Sequence, residues 1–154
     1  MDFIEAHPQG VGDYSGGVRA TACMKNSYEP KGELGEIIDK YIKDYRAYAV
    51  QIFASLGPSD LGFGKHEDIA DVITIGLCGE VTYALFAEEQ SSEPFAEPIL
   101  KKGESLYIPK GLWHQARFGW TPRATLSIGT KNKTLPSDVT YHGEELYHDY
   151  RGRK

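Results

Sequence analysis

A mainly β fold, either a small barrel or a double-sheet jelly roll behind one amphipathic helix, is what this sequence predicts. Three observations predict it. Short, β-branched apolar runs recur between residues 48 and 130, each closed by Gly, Pro or a polar cluster. One earlier stretch, 33–46, has helical spacing instead. No internal repeat, low-complexity block or linker interrupts the 154 residues, a length that suits one domain burying a core without disulfide or metal staples.

The elements follow in order. Residues 8–17, PQGVGDYSGG, are rich in Gly and Pro and read as an irregular arm, and VRATACM (18–24) follows as a short edge strand. In ELGEIIDKYIKDYR (33–46), Leu34, Ile37, Ile38, Tyr41, Ile42 and Tyr45 share one face, with Asp39, Lys40, Lys43 and Asp44 on the other. Gly35 weakens the start of that helix. YAVQIFASL (48–56) ends at GPSD, as a strand ends at a turn. IADVITIGL (69–77) and EVTYALFA (80–87) flank Cys78–Gly79, and the polar loop EEQSSEP (88–94) follows. EPILKK (97–102), ESLYIP (104–109), LWHQARF (112–118) and RATLSIGT (123–130) complete the strands. The expected organisation is an arm and helix at 1–47, a barrel at about 48–130, and a polar, Tyr-containing tail at 131–154 that either docks on the barrel or stays mobile.

Composition excludes several function classes. Hydrophobic residues make up 40% and charged residues 25%, as in ordinary soluble domains. The formal charge is −5 and the basic residues are scattered apart from the terminal RGRK, so no nucleic-acid footprint is expected. Cys23 and Cys78 form no CxxC pair and read as buried thiols of a reducing compartment. MDFIEAHPQG lacks the basic and apolar regions of a signal peptide, and no apolar run reaches a membrane span. A cytoplasmic protein is expected, with the helix or an edge strand offering a surface for a homodimer.

Candidate chemistry begins in GFGKHEDIADV (62–72). His66 and Asp68 are spaced i, i+2 at the mouth of a strand, so their side chains share a side while Glu67 points away. An imidazole and a carboxylate on one face make two-thirds of a facial metal site. Taken alone, the pair reads as a polar strand entrance. The third group is offered by GESLYIPKGLWH (103–114), whose spacing is G-x5-P-x-G-x2-H and ends on His114. At average residue frequencies that spacing arises by chance in roughly one chain of this length in a thousand. Asp71 could replace Asp68 only if a bulge reversed its face. Trp113 and Trp120 read as packing residues, His142 and His148 as solvated, and His7 carries no signal.

The G-x5-P-x-G-x2-H stretch resembles the second motif of the cupin superfamily. LGFGKHEDIADVITIGLCGEVTY (61–83) is similar to the H-x-D segment of JmjC-type oxygenases, especially the ribosomal-oxygenase branch. The resemblance covers about residues 48–130 and implies a cupin-type double-stranded β-helix. It also implies a metal held by His66, Asp68 and His114, Fe(II) as the ion, and 2-oxoglutarate as cosubstrate of a hydroxylation. These three residues would then be the catalytic centre.

One position departs from the family. JmjC enzymes usually carry Lys or Arg two residues after the strand-ending Gly, to pair with the far carboxylate of 2-oxoglutarate, and here that position is Val81. Arg123–Ala–Thr125 resembles the R-x-S/T element that does this work in other 2-oxoglutarate oxygenases; an Arg fork matches a carboxylate and Thr125 adds a hydroxyl. Tyr83 and Tyr107 are further inward-facing candidates for the cosubstrate pocket. The alternatives are a metal cupin that does not use 2-oxoglutarate, such as an isomerase or another dioxygenase, and a non-catalytic cupin binding barrel. The expected partner is a small molecule or peptide.

Overall fold

The computed structural model describes residues 5–6, 19–24, 32, 35–36, 39–40, 43, 46–55, 64–118, 121–130 and 138–152. Ten strands lie among them. They are β1 (Glu5–Ala6), β2 (Arg19–Met24), β3 (Ala47–Ser55), β4 (Asp71–Cys78), β5 (Val81–Phe86), β6 (Ile99–Leu100), β7 (Ser105–Ile108), β8 (Trp113–Phe118), β9 (Arg123–Thr130) and β10 (Tyr141–His142). One helix, α1 (Gly143–Gly152), follows β10. No described helix is long and apolar enough to cross a membrane. Of the helix expected at 33–46, Gly35, Glu36, Asp39, Lys40 and Lys43 are helical, and its apolar positions lie outside the described residues. The arm at 8–17, His7, Trp120 and residues 131–137 lie outside them too.

Seven strands form one sheet in the order β1-β2-β3-β9-β4-β7-β10, and three form a second in the order β6-β5-β8. This is the layered, mainly β architecture of a double-stranded β-helix. Strand alternation sorts the large sheet into two faces. Ile73, Ile75, Tyr107, Leu126 and Ile128 gather on one face with Val50. Val72, Leu106 and Ile108 turn to the other, where they meet Val81, Tyr83, Leu85 and Leu100 of the small sheet. The space between the sheets is therefore apolar, and the polar groups inside it are conspicuous: Thr74, His114, Arg123 and Thr125.

Two turns of the expected motif take the conformation that selects glycine. Gly103 has φ 84° between β6 and β7, and Gly111 has φ 79° between β7 and β8. Pro109 precedes the second turn and Leu112 closes it, its N–H donating to Pro109 O at 3.1 Å. The spacing thus encodes a strand bounded by two tight reversals, which delivers His114 to the start of β8.

The C-terminal residues dock. Ser105 N–H donates to Thr140 Oγ1 at 3.0 Å and Thr140 N–H to Ser105 Oγ at 3.2 Å. Tyr141 and His142 then pair in parallel with Leu106 and Tyr107. Glu144 and Glu145 occupy the first turn of α1 and Arg151 the last, the charge order that the helix dipole favours. His148 is exposed as expected, whereas His142 is half-buried with its ring 6.1 Å from that of Tyr107.

Leu126 is fully buried on β9, between β3 and β4. Leu126→Ala should lower the unfolding free energy by about 2–5 kcal/mol, read from the shift of the chemical denaturation midpoint.

Candidate metal centre

His66 and His114 face each other across a single antiparallel bridge. His66 N–H donates to His114 O at 3.0 Å and His114 N–H to His66 O at 2.8 Å. Directly opposed residues of an antiparallel pair project to the same face. The two rings accordingly lie 4.4 Å apart between centroids. Each ring is also held from behind, His66 Nδ1 at 2.8 Å from Gly64 O and His114 Nδ1 at 2.9 Å from Leu112 O. A carbonyl oxygen only accepts, so Nδ1 carries a proton in both rings, and in the neutral form Nε2 is the nitrogen that bears the lone pair.

Asp68 completes the group. Its backbone O accepts from Gly111 N–H at 3.2 Å, and its Oδ2 lies 3.6 Å from His114 Nε2. Ligand atoms of His66, Asp68 and His114 all lie within 4.8 Å of one another, the one such cluster among the described residues. Neighbouring ligands on an ion with bonds of about 2.1 Å stand about 3 Å apart, close to the 3.6 Å between His114 and Asp68. Burial holds the His114 pKa below its ordinary value, against the hydrogen bond to Leu112; His66 nearby lowers it further and Asp68 raises it. The ring is thus kept neutral, the form that binds metal. Two imidazole Nε2 atoms and one carboxylate are a donor set that suits a divalent transition metal.

A second polar group lies inside the barrel. Thr74, on β4 between Ile73 and Ile75, turns inward, and its Oγ1 is 2.9 Å from the Tyr83 hydroxyl. Arg123 and Thr125 alternate with Leu126 and Ile128 on β9 and so share the inward face; each is 3% exposed. The Tyr83 pKa is raised by burial, with hydrogen bonding to Thr74 and Thr125 and the charge of Arg123 pulling it down and Asp68 pushing it up. Tyr83 is therefore a neutral hydroxyl that feels both Arg123 and Asp68. One interior holds Arg123 and the His/Asp cluster.

Val81 is 3% exposed in the apolar interior, paired with Leu100 and Phe118. A Cβ on Gly79 would lie 2.8 Å from Arg123 Cβ, so the arginine starts beside the backbone two residues before Val81. The apolar side chain and the cation occupy the same end of the barrel.

Other expected residues fall elsewhere. Tyr107 pairs with Ile73 and packs on the opposite face of the large sheet, so it does not join Tyr83. Burial, the adjacent Asp71 charge and a hydrogen bond to that carboxylate, then Glu144, raise its pKa. The error was one of parity: the strand alternates as expected, but its register places odd residues outward. Asp71 faces away from the cluster and its Oδ1 accepts Lys110 N–H at 2.8 Å. Glu67 is exposed. Thr74 was missed, although a threonine in the middle of a β-branched run carries little signal of its own.

The JmjC domain family model matches residues 25–137. The chain belongs to this family. Two solved structures of the ribosomal oxygenase YcfD from Escherichia coli share the fold of this JmjC chain. Both are 22% identical, with TM-scores of 0.52 and 0.51, covering 64% and 74% of this chain. The chain spans only 28% and 29% of theirs. A cupin-2 domain protein from Shewanella frigidimarina is 20% identical with a TM-score of 0.41, over 54% of this chain and 70% of its own. No curated protein matches.

Saturating Co(II) should raise the melting temperature of the wild type and leave His66→Ala unchanged. At a hundred times Kd the linkage is worth about 2.7 kcal/mol, which differential scanning calorimetry resolves.

Proposed function

We propose that this JmjC chain is an Fe(II)- and 2-oxoglutarate-dependent oxygenase that hydroxylates a small molecule or peptide. The observation that carries the reading is Arg123, buried with Thr125, Thr74 and Tyr83 in the interior that also contains the His66/Asp68/His114 cluster. Bound Fe(II) would couple O2 reduction to conversion of 2-oxoglutarate into succinate and CO2, with one oxygen atom passing to a substrate C–H.

The chain's own residues have separate tasks. His66, Asp68 and His114 would hold the ion through two imidazole nitrogens and one carboxylate. Arg123 offers its two-pronged fork to the far carboxylate of 2-oxoglutarate, a stronger match than a single ammonium. Thr125 and the neutral Tyr83 hydroxyl donate to the same carboxylate. Val72, Val81, Leu85, Leu106 and Ile108 line the interior and keep water from the site. Val81 also favours a second reading, a metal cupin without 2-oxoglutarate, because it removes the cation from its usual place in the family. The chain spans under a third of YcfD, so that protein's name suggests no substrate here beyond the chemical class.

Arg123→Ala should retain Co(II) binding while raising the KM for 2-oxoglutarate at least about 30-fold, the loss of roughly 2 kcal/mol expected for a desolvated charge pair. Succinate formation measured against 2-oxoglutarate concentration tests this. Unchanged kinetics would remove Arg123 from the pocket, and absence of any turnover in the wild type would favour the second reading.

A further inference from the structure

The turn from Pro109 to Leu112 lies behind the metal cluster and touches two of its members. Leu112 O receives His114 Nδ1, and Gly111 N–H donates to Asp68 O. Anything that moves this turn therefore moves the His114 ring and the Asp68 backbone together. The turn is held from two further sides by residues that do not reach the cluster. On one, Asp71 Oδ1 accepts Lys110 N–H at 2.8 Å, a charge-assisted bond to the turn's own backbone. On the other, the C-terminal segment closes over it at Gly143. A Cβ there would stand 2.9 Å from Leu112 Cδ2, 2.9 Å from Tyr107 O and 3.1 Å from Pro109 Cδ. Tyr141 and Leu146, on either side of Gly143, pack with Leu112 against the inner apolar cluster.

We infer that Asp71 and Gly143 are positioning residues of the metal centre, clamping the Pro109–Leu112 turn and through it orienting His114 and Asp68. The C-terminal strand and helix are then part of the site's support. This inference rests on the metal reading of the cluster and adds to it a mechanical dependence on groups that bind no ion. Groups behind metal ligands commonly shift metal affinity by about 10–100-fold when removed.

The test measures Co(II) affinity of the full chain by titration of its visible absorption, beside the melting temperature of the metal-free protein. Asp71→Ala, which removes the acceptor, should weaken Co(II) binding by about tenfold or more. Asp71→Asn keeps an oxygen for Lys110 N–H and should recover most of the affinity. Gly143→Val should weaken binding as Asp71→Ala does; if it fails to fold, the two Asp71 variants decide alone. A loss under about threefold in Asp71→Ala overturns the inference, as does an equal loss in Asp71→Asn, which would assign the effect to charge. Failure of the wild type to bind Co(II) overturns the metal reading instead and is distinguishable from either result.

Discussion

A loop and a strand distant in sequence meet through a pair of backbone hydrogen bonds, His66 N–H to His114 O and His114 N–H to His66 O. Each bond contributes only about 0.5–1.5 kcal/mol net, so their importance is geometric. Direct opposition in an antiparallel pair leaves the side chains no choice of face, and the two imidazoles are brought side by side. The carbonyls of Gly64 and Leu112 then take each Nδ1–H and aim Nε2 into the same space. Asp68 needs only the alternation of an extended chain to join them. The rest of the site is arranged around this bridge.

Arg123 answers a different constraint. Placing a guanidinium in an apolar interior costs several kcal/mol unless polar groups receive it. The barrel places Thr74 and Thr125 on adjacent strands of the large sheet and Tyr83 opposite, and the Tyr83 hydroxyl feels the charge of Arg123. Val81 shows the reverse choice, an apolar side chain at the position where the family usually carries the cation. The interior thus holds a positive group on β9, together with the His66/Asp68/His114 cluster, where β5 carries Val81.

Much of this was legible in the chain. The strand at 123–130 is found at its expected bounds, and those expected at 48–56, 69–77 and 112–118 fall within two residues of theirs. The G-x5-P-x-G-x2-H spacing worked because positive-φ turns at Gly103 and Gly111 are local requirements, written in residue type. Tyr107 was misplaced because nothing local says which side of β7 faces the small sheet. The tail was left open between docking and mobility because its strand is only two residues long and pairs in parallel, a contact with no periodic signature.

By itself the sequence determined the elements that local rules control: turn glycines, alternating strands, and a His-x-Asp pair whose side chains share a face. It also named His114 as their partner, since the motif delivers a histidine to the first turn of a new strand. The tertiary structure decided what depends on register between distant strands: Tyr83 and Arg123 inside, Tyr107 and Asp71 outside, and the C-terminal segment packed behind the turn that holds His114. Shifting one strand by a single residue reverses every side chain on it, and only pairing across the sheet selects between the two arrangements.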